Sequence, residues 1–363
     1  MKKGLVIILV AWLSLGLAQG GQVRVLLGEG QRVVVSATSP FGVWNLQGQV
    51  AQVPGPIALN LQASGGGVSM GGRSLGSWVG IMPQGGFVRF AGRSYRGRIR
   101  VINDGGRLLV VNEVGLEDYL KGVLPGEVPA SFPVEALKAQ AVSARTYALA
   151  HLGSHKYYDL CATAQCQVYK GANAETPVHN QAVEATRGLV LGYGGKPIDA
   201  VYHADSGGRT ASAGEVWGRD LPYLAVREDP FTISRPWSVT VTPERLAQAM
   251  AALGAGIGPA GKIEAVKYSP SGRIARLRVT GSGGTRILEG NQLTRIMSAL
   301  GLPSTQARFS GSGPWVFSGR GNGHGVGMSQ WGARGFAMAG WNFASILAYY
   351  YPGAQISGFR FTR

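Results

Sequence analysis

From Gln22 to about Val111 the chain alternates apolar and polar residues, the period-two texture of strands with one buried and one wet face. QVRVLLGEGQRVVV predicts a hairpin turning at Gly28, Glu29 and Gly30. FVRFAGRSYRGRIRVI and RLLVVN predict further strands, with arginines at the outward positions. Gly65 to Gly67 and Gly71 to Gly72 break the run. This stretch reads as a β-rich module with a basic outer face.

At Leu116 the period changes. LEDYLKGVL predicts a short helix, and VEALKAQAVSARTYALAH the strongest helix of the chain. Ser131 and Pro133 supply start signals, while Glu135 suits the positive end of the helix dipole. Its apolar stripe is Val134, Leu137, Ala141, Ala144 and Ala148. Most of these are alanines, so a neighbour must pack close. Residues 180–190 suggest another helix ended near Gly188, and LVLGYGGKPIDAVYHA a hairpin turning at Gly194–Gly195. PERLAQAMAAL, IEAVKYS, IARLRVTG and QLTRIMSAL predict a small α/β module between Pro243 and Gly301. A glycine-rich stretch and the apolar ASILAYYYPG helix follow, and no internal repeat is found. The expectation is an α+β fold: a β-rich N-terminal module (19–111) and a mixed α/β core (112–230 and 319–363) carrying an inserted small α/β module (231–318).

Composition adds compartment and partner. Lys2 and Lys3 precede an apolar run from Gly4 to Leu17, with Gly16 and Ala18 before Gln19. That is a secretory signal peptide over residues 1–18, and the run is short for a bilayer span of about 20 residues. No later segment is long and apolar enough to span, so the mature chain is expected outside the cytoplasm without a transmembrane anchor, in periplasm or cell wall. The net charge of +16 would suggest nucleic acid for a cytosolic protein; for an exported one it suggests an anionic envelope polymer. Cys161 and Cys166 are the only cysteines, and with histidines such as His155 and His203 nearby in sequence they allow either a disulfide or a metal site.

Candidate chemistry begins at LPGEVPASFP, where Glu127 is the sole charge among prolines and apolar residues. A carboxyl so placed is poorly solvated, which raises its pKa toward what a general acid needs. The alternative is a loop glutamate capping the next helix. Lys138 and Arg145, seven apart on that helix, are either a solvated face or a cationic wall beside Glu127. In YHADSGGRT, the neighbours His203, Asp205 and Ser206 are a weak triad signal, since triads are assembled across a fold. A Ser-Gly-Gly turn suits recognition of a polar substrate as well, and Trp217 offers a platform for a sugar ring. GRGNGHGVGMSQWGARG is superficially like a dinucleotide fingerprint but lacks the strand–turn–helix context. Its glycines imply close backbone approach, while His324, Gln330, Trp331 and Arg334 offer polar and aromatic contact. Asp205 and Glu215 are available as a second carboxylate, but no spacing demands it.

Together EDYLKGVLPGEVPASFPVEALKAQAVSARTYAL, YDLCATAQCQVYKG, DAVYHADSGGRTASAGEVWG and GNGHGVGMSQWGARG closely resemble the stage II sporulation protein D family, which includes proteins described as amidase enhancers. The resemblance covers roughly residues 112 to 229 and 319 to 352. It implies a lytic transglycosylase that cuts peptidoglycan glycan strands between N-acetylmuramic acid and N-acetylglucosamine, preferentially where stem peptides are gone. The catalytic glutamate of the family's P-x-E-x-P motif falls on Glu127. Lys138, Arg145, Tyr202, His203, Ser206, Gly207, Trp217, His324, Gln330 and Trp331 would line the glycan groove. Some members bind zinc through the two cysteines and a histidine, which maps to Cys161, Cys166 and His155; Gln165, standing where many members have histidine, departs from that pattern, and a Cys161–Cys166 disulfide is the rival. No cofactor beyond such a zinc is implied. The implied partners are glycan strands and a peptidoglycan amidase, and the alternative activity is a non-catalytic wall-binding enhancer of that amidase.

Overall fold

The computed structural model describes residues 21–359, so the signal peptide expected over 1–18 lies outside the described residues. Strands 22–30, 41–45, 48–53, 78–83, 98–104 and 107–115 join residues 160–161 in one sheet. Strands 32–37, 59–64, 67–70, 73–76, 88–90 and 93–95 form a second. Val23 and Val25 from the first and Val33 and Val35 from the second share one buried cluster, so the alternating apolar positions face each other across a common core.

The expected hairpin at Gly28–Gly30 does not form. Residues 22–30 pair antiparallel with 107–115, whereas 32–37 pair with 59–64 and 88–90. The chain instead passes from one sheet to the other at Gln31. Alternation gives the same pattern whichever partner a strand finds, which is why the sequence misleads here.

The strand 107–115 runs directly into helix α1, Leu116–Glu127, with Glu117 and Asp118 in its first turn. The helix is longer than LEDYLKGVL suggests and carries Pro125 inside its last turn. Helix α2, Val134–Ala150, starts at Pro133 with no side-chain cap, so Ser131 is not the cap. It is buried nearly all round, from Ala136 and Leu137 through Ala139 to Thr146, while Val134 at its start is exposed. A helix surrounded in this way is a central strut, and its alanines let the neighbours approach on several faces. Those neighbours include α1, α3 (Pro177–Ala185, capped by the Thr176 side chain), α7 (Gln330–Met338) and α8 (Phe343–Tyr350). Helix α4, Ala213–Trp217, begins with a capping box between Ser212 and Glu215.

The module between them holds α5 (Pro243–Ala252), α6 (Gly290–Ala299) and an antiparallel sheet of 260–268, 274–281 and 284–289. It has its own buried cluster, including Leu246, Met250, Ile296 and Trp315. Its entry strand 237–241 pairs with its exit strand 315–319. The chain therefore leaves the core and returns at nearly the same place. On return, Met328–Ser329 pair parallel with Tyr202–His203, a contact no local pattern announces. The hairpin expected over 189–204 is limited to Gly192 and Tyr193 against Pro197 and Lys196, because residues 189–192 also pair with 355–358 and Tyr202 and His203 take this other partner.

Candidate active site

Glu127 is the last residue of α1, and Val128 after it is extended, which stops the helix and turns the chain out. The glycine before it has a steric purpose. A Cβ on Gly126 would run into the Val168 carbonyl, so only glycine lets α1 end against that segment. The approach allows the Val168 N–H to donate to Glu127 Oε1 at 2.7 Å. Gln330 at the start of α7 donates from Nε2 to Oε2 at 3.4 Å, and the Tyr202 hydroxyl faces the carboxyl in the same cleft. Burial pushes the Glu127 pKa up, opposed by these three donors and the charge of Lys170. The carboxyl is thus held in place and kept from full solvation, and the motif's prolines are secondary to that framing.

Glu127 opens on a cleft of about 360 Å³ shared with Tyr147, Tyr202, His203, Trp217 and His324. The glycine-rich segment builds the opposite wall. Val326 donates its N–H to His324 Nδ1 at 3.1 Å and accepts from His203 Nδ1 at 3.0 Å, while His324 Nε2 donates to the Tyr202 carbonyl at 3.0 Å. One residue therefore fixes both imidazole tautomers. Gly323 has φ +102°, and a Cβ there would sit 2.9 Å from the His203 Cβ, so the close approach requires glycine. Burial holds His324 down to about 4 and His203 well below the ordinary histidine value, so both rings are neutral near pH 7. Trp217, 40% exposed, packs on the His324 ring at 5.3 Å and gives the cleft an aromatic rim.

Of the residues singled out from sequence, Glu127, Tyr202, His203, Trp217, His324 and Gln330 meet in this cleft. Seven others have different work. Arg145, 1% exposed, pairs with Glu117 at 2.6 Å and also bonds to the Val183 and Leu189 carbonyls, tying α1 and α3 to α2. Lys138 pairs with Glu135 at 2.7 Å, and Glu135 accepts from the Phe343 N–H at the start of α8. The expected cationic wall beside Glu127 is not there, because both cations are used in helix packing. Ser206 is fully buried and donates to Asp229 at 2.5 Å, and Gly207 lies under Gln306. Trp331 packs edge-on against Phe132 at 5.2 Å, outside the cleft. Asp205 accepts from Thr232 and Ser234, and Glu215 accepts from the Ser271 N–H; neither lines the cleft with Glu127.

At the two cysteines the structure takes the disulfide alternative. Cys161 and Cys166 are bonded to each other, and His155 stacks on Tyr158 at 4.4 Å instead of joining them. Among the described residues no group of three or more His, Cys, Asp or Glu side chains could hold a metal ion. The residues thus do not fit the zinc set implied by the resemblance. The disulfide loop instead supplies Ala164, Gln165 and Cys166 to the cleft, leading into Val168. Sequence reasoning missed Tyr147, Asn322 and Val168 as site residues. Asn322 could have been found, as it lies in the glycine-rich motif. Val168 contributes a backbone N–H, for which no side chain gives a signal.

Comparison with known proteins agrees with the motifs. Residues 104–193 match the family model described as "Stage II sporulation protein", and residues 213–327 match a domain of unknown function. The chain is 33% identical to stage II sporulation protein D of Bacillus subtilis over 268 residues, 68% of this chain and 76% of that protein. It is 34% identical over 271 residues to an uncharacterised protein of Brachyspira hyodysenteriae, covering 73% of each. It is also 30% identical to the amidase enhancer of Bacillus subtilis, over 66% of this chain but only 40% of that longer protein. The chain belongs to the stage II sporulation protein D family.

Proposed function

We propose that this protein is an exported lytic transglycosylase that cuts peptidoglycan glycan strands with Glu127 as its one acid/base. The observation that carries the proposal is that, among the described residues, Glu127 is the only acidic side chain lining the cleft, and burial raises its pKa. A hydrolase of the usual kind needs a second carboxylate to activate water or attack the sugar. The nearest candidates in the motif, Asp205 and Glu215, are bound up in loop and helix-cap contacts. A transglycosylase needs no second acid. The Glu127 proton passes to the glycosidic oxygen as its bond to the muramic C1 breaks. The muramic C6 oxygen then bonds to C1, its proton going to the Glu127 carboxylate, which leaves a 1,6-anhydro ring and restores the acid. Trp217 and His324 supply an aromatic face suited to a sugar ring.

A second reading is favoured by the likeness to the amidase enhancer: a wall-binding protein that assists a peptidoglycan amidase without cutting glycan itself. One digest separates the two. Purified glycan strands, with and without stem peptides, are incubated with the mature protein and with its Glu127→Gln variant. 1,6-Anhydro-muramic ends from the wild type alone support the transglycosylase. Reducing ends point to a hydrolase with an unidentified carboxylate, and binding without cleavage by both proteins supports the enhancer.

A further inference from the structure

Gln167 lies behind the cleft, fully buried, and every polar atom of its amide is used. Its Nε2 donates to the Ala144 carbonyl at 3.2 Å and to the Tyr202 hydroxyl oxygen at 3.0 Å. Its Oε1 accepts from the Tyr119 hydroxyl at 3.0 Å. The orientation is not free. A carbonyl can only accept, so the amide atom beside Ala144 must be the nitrogen, and a phenol facing the other atom can then only donate. The Tyr202 oxygen already accepts from Gln167, which leaves its own proton to be donated outward. Outward lies the Glu127 carboxyl.

We infer that Gln167, anchored by Tyr119, is a positioning residue of this site: it fixes the Tyr202 hydroxyl as a donor toward Glu127. Neither Gln167 nor Tyr119 lines the cleft or carries charge near pH 7, and Gln167 acts through Tyr202. The chain of contacts gives Glu127 a preset charge-stabilising donor at the moment the proton leaves, and that donor needs no reorientation. The other groups facing the carboxyl are the Val168 N–H, Gln330, Lys170 and the phenols of Tyr119 and Tyr147; His203 and His324 share the cleft as neutral rings. Lys170, the one cation among them, is exposed and held at the Pro125 carbonyl, independent of Gln167.

The inference rests on Glu127 being the working acid, but its test does not require turnover. Glutamate side-chain carboxyls are labelled with carbon-13, and the Glu127 resonance is followed against pH in wild type, Gln167→Leu, Tyr202→Phe and the double variant. Losing a donor to the carboxylate moves its titration midpoint up, by about one pH unit for a well-formed bond. The expected result is an equal upward shift in both single variants and no further shift in the double. Should Gln167→Leu fail to fold, Gln167→Met serves, since it keeps the length of the side chain and removes the donor to Tyr202. A wild-type midpoint in the Gln167 variant that folds, or additive shifts in the double variant, overturns the inference. If the midpoints shift as expected while glycan digests give no anhydro ends, the positioning role stands and the transglycosylase reading falls.

Discussion

A single carboxyl that is raised by burial and yet held by three donors behaves differently in activity and in stability. As a general acid it stays protonated to higher pH than an ordinary glutamate, so activity should fall as pH rises through its midpoint. Glu127→Gln should remove roughly 10²- to 10⁴-fold of turnover while glycan binding persists, checked by anhydro-end formation and by cosedimentation with glycan. For stability the pH trend is the same, but the effect of removing the carboxyl is reversed. A folded-state pKa above the unfolded value means the folded protein loses stability as pH rises between the two, because ionising Glu127 then opposes burial. The variant should therefore melt no lower than wild type at neutral pH, whereas a large loss would mark Glu127 as a structural cap. His324 shows the opposite shift. Its pKa is held to about 4, against 6.5 unperturbed, so unfolded chains take up the proton first as pH drops through that window. Melting temperature should decline from pH 6.5 toward 4, and His324→Gln should flatten that decline.

At the scale of elements, the helices meet through pairs that resemble site chemistry in the sequence. Arg145→Ala would leave Glu117 uncompensated near the helix interface and should cost about 3–5 kcal/mol in denaturant unfolding, with the Michaelis constant of the folded fraction unchanged. A groove residue would show the reverse pattern. The disulfide is a smaller staple. Closing so short a loop restricts the unfolded chain by only about 2 kcal/mol in the entropy model, so Cys161→Ser/Cys166→Ser should fold with a modest loss of stability. Its larger effect should be on turnover, since the loop leads into the Val168 N–H that holds Glu127. These contrasts show what the sequence could convey. The cleft-lining residues that were legible, Glu127, Tyr202, His203, Trp217, His324 and Gln330, sit in dense motifs where glycine or proline marks an unusual backbone. Arg145, Lys138 and Ser206 were misread because a polar side chain in a motif gives no sign of whether its partner is substrate or protein. The strand partners of 22–30 and 32–37 were illegible for a related reason: alternation specifies a face and leaves the neighbour open.

For the molecule as a whole, 35 basic residues against 19 acidic ones leave a positive field that a wall polymer would meet before it met the cleft. Cosedimentation with purified walls should weaken steadily as salt is raised from 50 to about 500 mM, where the Debye length drops from over 10 Å to roughly 4 Å. Binding indifferent to salt would remove charge as the reason for the basic composition. The scaffold that carries this charge also divides the labour of assembly. The β sandwich and α1 are made first and end at Glu127, yet the amide that bonds its second oxygen is 203 residues further along the chain. Tyr202 and His203 likewise have no strand partner until Met328 and Ser329 exist. A nascent chain, or one cut short before Gln330, would hold its acid in a half-built setting. If Glu127 has the proposed role, order of synthesis controls the hazard of a wall-cutting catalyst: the groove closes around Glu127 only after Met328, Ser329 and Gln330 have been made.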